Sequence, residues 1–278
     1  MKKLFSSPFF KTLFIIQLFF LLIFFFQYNS SNALAQDISE NKLLLASPYS
    51  NSNDSFISLY SANIPKNKIA YLTFDDGPSN NTEKILKILD DYNIKATFFV
   101  TGTSAKRGLK IYKAIVNKGH SIGNHTYSHN YSKIYKSIED FISDFKKLEN
   151  YLNNSLGVST NIVRLPGGSN NTISHKYGGN NIMVSISKYL IDNGYTYFDW
   201  NVDSTDACVK TQDKNKIVNS ILSNSKNKNA IIILMHDGPL KTTTVEALPE
   251  IISGLKKQGF EFRPLSSEEY VTQFLRAK

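Results

Sequence analysis

The chain has almost no cysteine. Among 278 residues only Cys208 carries a thiol, so an intramolecular disulfide is impossible and a cysteine-based zinc site is excluded. Any metal must be held by imidazole and carboxylate. Tryptophan is as scarce: Trp200 stands alone, and burial in the core is its expected role. No basic stripe interleaved with aromatics occurs, which argues against a nucleic-acid partner. Long apolar runs are missing except one, Leu13 to Phe26, 14 residues broken only by Gln17. That run falls short of the roughly 20 residues of a bilayer span.

Around that run the N-terminus reads as an export signal. Lys2, Lys3 and Lys11 precede it, and Ala33-Leu34-Ala35 supplies small residues for cleavage before Gln36. The competing reading is an uncleaved membrane anchor over residues 1–35, since Phe9 and Phe10 can lengthen the span. Both readings place the rest of the chain outside the cytoplasmic membrane, secreted or at the cell wall. Of 32 Lys and Arg, three precede residue 36, where no acid occurs; 29 against 23 acids then remain, a net +6. Such a charge draws an exported protein toward anionic wall polymers. Hydrophobic residues make up 41% and charged ones 20%, enough apolar content for a sizeable core.

Residues 36–66 are rich in Ser, Asn and Asp and read as a linker, with Leu43–Leu45 and Phe56–Tyr60 as candidate short docking strands. From residue 67 to 278 strand and helix patterns alternate. Strands are expected at 69–74, 95–100, 161–165, 196–202, 230–235 and 260–265, with Ser121-Ile122-Gly123 leading into a histidine pair. Helices are expected at 82–92, 109–117, 138–152, 182–192, 217–222 and 245–257. Repeated β-then-α units imply a parallel sheet with crossover helices. Seven or so units favour an α/β fold closed toward a distorted (β/α) barrel, whose site lies at the carboxyl ends of the strands. Asp75-Asp76, His125, Arg164, Asp203 to Asp206 and His236 all fall at such ends.

These residue types suit metal-assisted hydrolysis. A zinc-like ion takes three protein N/O ligands and leaves one position for water. His125 and His129, spaced i, i+4, would share a face if their segment is helical. With one carboxylate of Asp75-Asp76 they complete such a set, and the other carboxylate is left for proton transfer. Arg164 can hold a carboxylate bidentately. Gly167 and Gly168 let a backbone N–H approach a ligand and serve as an oxyanion donor. His236 is a candidate general acid. His120 is expected to be structural and His175 exposed.

The set resembles the NodB-type polysaccharide deacetylases, carbohydrate esterase family 4, over residues 67–278. Thr73-Phe74-Asp75-Asp76-Gly77-Pro78, His125-Thr126-Tyr127-Ser128-His129, Arg164-Leu165-Pro166, Asp203-Ser204-Thr205-Asp206 and Leu234-Met235-His236 match that family's five motif regions in order. The resemblance implies removal of acetyl groups from N-acetylated sugars. It implies that Asp76, His125 and His129 bind a divalent metal, usually zinc, with cobalt, nickel or manganese as alternatives. It makes Asp75 the base, His236 the acid, Arg164 the partner of Asp75 and Asp206 the partner of His236. An aromatic usually follows the third motif's proline, where Gly167 stands, and a tryptophan usually follows the fourth motif's last Asp, where Ala207 stands. A groove wall is therefore expected to be lost and the acetyl pocket to be open or filled from elsewhere. The expected partner is a cell-wall glycan, N-acetylglucosamine or N-acetylmuramic acid of peptidoglycan, acted on by a monomer. Chitooligosaccharide, poly-N-acetylglucosamine and acetylxylan are the alternative substrates. A non-catalytic glycan-binding protein on the same scaffold is the alternative of a different class.

Overall fold

Strand β1, Ile69–Asp75, is buried along its whole length and organises the fold. The structure, a computed structural model, describes residues 67–276. The expected leader, linker and docking strands lie outside those residues. Along β1 the side chains alternate: Ala70, Leu72 and Phe74 pack under the outer helices, while Ile69 and Tyr71 face an inner cluster with Phe99, Ile162, Phe198 and Ile232. Thr73 and Asp75 continue that inner parity. On the neighbouring β7, Ala230–His236, the same alternation carries Ile232, Leu234 and His236 inward. Strand period alone therefore delivers Asp75 and His236 to one rim, paired in register across the sheet.

The remaining strands are β2 (Thr97–Val100), β3 (Ser121–Asn124), β4 (Ile162–Val163), β5 (Thr196–Tyr197), β6 (Val202–Asp203) and β8 (Glu261–Phe262). All recorded pairings are parallel, in the order β5-β4-β3-β2-β1-β7-β6, with β8 against the start of β1. Seven strands thus form a curled half-barrel, and no described pairing joins β5 to β6. The distorted barrel expected from the sequence is what folds. One difference is that residues 196–202 form two short strands rather than one.

Helices α1 (Asn80–Asp91), α2 (Lys106–Asn117), α7 (Lys214–Asn224) and α8 (Thr242–Lys257) cover one flank of the sheet. The short α3 (Tyr131–Ile134), α4 (Ile138–Leu156) and α6 (Ile182–Asp192) enclose a second core around Phe141, Phe145 and Leu190. A single turn, α5 (His175–Gly178), lies on the surface, and His175 is exposed as expected. His120 is buried and its Nδ1 accepts the Ala96 N–H at 3.1 Å, the structural role expected of it.

The open edge beyond β5 is occupied by residues 270–276. Asp199 N–H donates to Thr272 O (2.8 Å), Phe274 N–H to Asp199 Oδ2 (2.7 Å) and Leu275 N–H to Ser169 Oγ (2.9 Å). The Trp200 and Phe274 rings meet edge to face at 5.0 Å. This strap ties β5 to the Gly167-Gly168 loop, where the sequence showed no regular period.

Candidate active site

Asp75 closes β1 and is buried. Asp76 follows with φ 78°, a left-handed turn that swings its carboxylate to the same rim. Gly77-Pro78, a cis peptide, then leads into α1. Ser79 caps α1, and Ser79 Oγ and Thr82 Oγ1 donate to the carbonyl and Oδ2 of Asp237, each at 2.5 Å. Asp237 N–H donates in turn to Asp75 O at 3.0 Å. The exits of β1 and β7 are thereby locked together. Burial pushes the Asp237 carboxyl up to about 7. No sequence pattern marks this residue for that role.

Arg164, fully buried at the end of β4, donates from Nη1 to Asp75 Oδ1 (3.1 Å) and Thr73 Oγ1 (2.6 Å). Nε and Nη2 go to the carbonyls of Phe198 (3.0 Å) and Asp199 (3.1 Å). The expected bidentate clasp is therefore a single contact: the other donors satisfy strand-end carbonyls that would otherwise be buried unpaired. The guanidinium lies 4.4 Å from the Phe99 ring centroid. A side chain on Gly123 would collide with that ring, so the glycine makes room for it. Burial raises the Asp75 carboxyl, and the Arg164 charge works against that rise.

His125 and His129 do not share a helical face. They sit on an irregular loop after β3, bent by positive φ at Thr126 (67°) and His129 (48°), with ring centroids 4.9 Å apart. Asn124 Oδ1 accepts Thr126 N–H and Asp144 Oδ1, from α4, accepts Ser128 N–H, both at 2.8 Å. His125 Nδ1 donates to Arg164 O at 2.6 Å, which leaves Nε2 as the free lone pair. Burial first, and the neighbouring His129 next, hold this imidazole down to about 3, so it is neutral.

The two Nε2 atoms face Asp76 Oδ1, at 3.7 Å from His125 and 3.3 Å from His129. That oxygen is buried and has no hydrogen-bond partner among the described residues. One donor atom from each of the three residues lies within 4.8 Å of the others. An orphaned carboxylate oxygen facing two imidazole nitrogens fits a divalent cation. Asp75 Oδ2 stands 3.8 Å from His125 Nε2, on the side held by Arg164.

Across the pocket, Asp206 Oδ1 accepts from His236 Nδ1 at 2.7 Å, and its Oδ2 takes the His236 N–H (2.8 Å) and Thr244 Oγ1 (2.9 Å). Burial opposes a charged His236, but the Asp206 hydrogen bond and charge outweigh it and raise the imidazole to about 9. Asp206 is correspondingly lowered by His236, against its burial. A cavity of about 260 Å³ joins these groups, bounded by Leu165, Gly167, Trp200, Ala207 and Tyr131. Gly167 has φ 79°, and its N–H meets no acceptor among the described residues, whereas Gly168 N–H donates to Leu165 O at 2.8 Å. Trp200, expected in the core, is only half-buried and lines the pocket. The wall expected to be lost at Gly167 is filled by Tyr131, which sequence reasoning missed. Its signal was available: a side-chain-free position at a groove needs a filler, and Tyr131 follows His129 by two residues.

Fold and site together define a hydrolase-like pocket with a buried carboxylate held by arginine, a carboxylate-paired imidazole and a three-residue donor set. Residues 62–181 match the polysaccharide deacetylase family model. A peptidoglycan-N-acetylglucosamine deacetylase of Bacillus cereus is 30% identical over 253 residues, covering 89% of this chain and 87% of the relative. A second protein of that name from the same organism is 35% identical over 210 residues, 75% of this chain and 71% of the relative. The crystal structure of the catalytic domain of peptidoglycan N-acetylglucosamine deacetylase from Eubacterium rectale superposes with a TM-score of 0.72. It is 36% identical and covers 77% of this chain and 95% of that one. The chain belongs to the polysaccharide deacetylase family. No helix among the described residues is long and apolar enough to cross a membrane.

Proposed function

We propose that this chain hydrolyses the N-acetyl group of N-acetylglucosamine in peptidoglycan, with Asp76, His125 and His129 holding one divalent metal ion, zinc foremost. The unpartnered Asp76 Oδ1 between two imidazole Nε2 atoms carries this reading. The names of the B. cereus and E. rectale relatives support the polymer and the sugar. When bound, such an ion lowers the pKa of water and polarises a carbonyl. Asp75, fixed by Arg164, takes the proton from the attacking water at its carboxylate. Gly167 N–H donates to the carbonyl oxygen as negative charge builds there. His236, protonated through its pairing with Asp206, gives a proton to the leaving nitrogen. The products are acetate and the free amine. The signal-or-anchor pattern read in the sequence of residues 1–35 supports an extracytoplasmic site of action, where this polymer is found. Acetate release from purified peptidoglycan, with and without added zinc or cobalt, tests the reading. Mass spectrometry of the resulting muropeptides identifies the sugar. Absence of metal-dependent release overturns it.

A further inference from the structure

Tyr131 is half-buried at the start of α3 and stands outside the donor triad and the acid–base groups. Its ring meets His129 edge-on at 5.6 Å and Tyr135 edge-on at 5.5 Å. Tyr135 OH donates to Pro166 O at 2.6 Å. A continuous stack thus runs from His129 through two phenol rings to the backbone just before Gly167. It fixes the Tyr131 hydroxyl over the glycine: a Cβ on Gly167 would lie 2.6 Å from Tyr131 Oη and 3.2 Å from Cε1. No described residue hydrogen-bonds to that hydroxyl. The hydroxyl is not sealed in the protein: Tyr131 lines the pocket, and its hydroxyl is left for water or a bound group to pair with.

We infer that the Tyr131 hydroxyl donates a hydrogen bond to the carbonyl oxygen of the N-acyl group, as a second neutral donor beside Gly167 N–H. The inference rests on the deacetylation proposed above. Tyr131 stands between His129 of the donor triad, which its ring meets, and Gly167, whose free N–H is the other donor proposed for that oxygen. The Tyr131 hydroxyl lies over Gly167 in the pocket that His129 also lines. The phenol keeps its proton throughout; it only strengthens its hydrogen bond as the carbonyl carbon becomes tetrahedral and its oxygen takes negative charge. Such a donor acts in the transition state more than on the bound substrate, so its loss is read in kcat rather than KM.

The test is Tyr131→Phe, which keeps the ring stack and removes one oxygen. Acetate release from peptidoglycan and zinc affinity are measured on wild type and variant. Expected are a fall in kcat of roughly tenfold to a hundredfold, a smaller loss than a dedicated oxyanion donor gives, with KM within about twofold and zinc affinity unchanged. A kcat within about twofold of wild type overturns the inference, as does a raised KM with kcat intact, which places the hydroxyl on the sugar. Loss of zinc affinity also overturns it, because Tyr131 would then act only by holding His129. A wild type without activity removes the proposed function and this inference together; an active wild type with an unaffected variant removes the inference alone.

Discussion

Asp206 grips His236 at two points, its Oδ1 on the ring Nδ1 at 2.7 Å and its Oδ2 on the backbone N–H at 2.8 Å. The carboxylate thereby fixes ring orientation, tautomer and charge together. Asp206→Asn keeps the shape and removes the charge. Activity is expected to fall by about 10²–10⁴, as for loss of a general acid. The alkaline limb of the pH–rate profile is expected to move from near 9 toward the ordinary imidazole value of 6.5. Stability moves as well. A raised imidazole stabilises the fold fully below pH 6.5, and that contribution is lost as pH rises through about 9. Wild-type Tm is expected to fall across that window and the Tm of Asp206→Asn to stay flatter.

The neighbours Asp75 and Asp76 are expected to part company on substitution. Asp75→Asn should abolish acetate release while zinc still binds, since the buried Asp75 lies on the Arg164 side. Asp76→Ala should lose zinc affinity and activity together. Equilibrium dialysis alongside the assay separates them, and a loss of zinc by Asp75→Asn reverses the assignment.

Gly167→Ala combines positive φ with a methyl placed 2.6 Å from the Tyr131 hydroxyl. A non-glycine residue in this backbone region costs on the order of 1 kcal/mol. The displaced tyrosine and shifted N–H are expected to lower kcat at least tenfold, with Tm down by only a few degrees. The double variant with Tyr131→Phe, freed of the closest contact, is expected to show less than the product of the single losses.

Asp237 offers a test of the lock between the β1 and β7 exits. The folded chain binds its proton more tightly than the unfolded chain does. Its stabilising contribution is therefore complete below about pH 4 and is lost as pH rises through about 7. Asp237→Asn carries no charge at either extreme. Its Tm relative to wild type should improve between pH 5 and pH 8; a constant difference contradicts the buried-carboxyl account.

Much of this is legible in the sequence, for a physical reason. Strands β1 and β7 are mostly apolar runs buried on both faces, each ending on a polar residue, so the rim positions of Asp75 and His236 follow from where the runs stop. The His125–His129 spacing was legible but its geometry was not: Thr126 and His129 adopt positive φ, which no residue pattern announces. The run 196–202 reads as one strand, yet it breaks where Asp199 turns its carboxylate to Ser169 and Phe274. Asp237 and the 270–276 strap escaped because their roles arise from contacts between distant segments, which periodicity does not record. Tyr131 escaped because its importance lies in what Gly167 lacks.

That strap bears on when the site comes into being. Ser169 waits for Leu275, 106 positions later, and Asp199 for Phe274, 75 positions later. Closing such long loops costs chain entropy and slows folding. In a chain synthesised from its N-terminus, Asp75, His125 and Arg164 emerge well before the residues that brace Asp199 beneath them. The catalytic floor is then the last part of the domain to set, and a nascent chain stopped short of residue 270 holds most of its chemistry without the platform to use it.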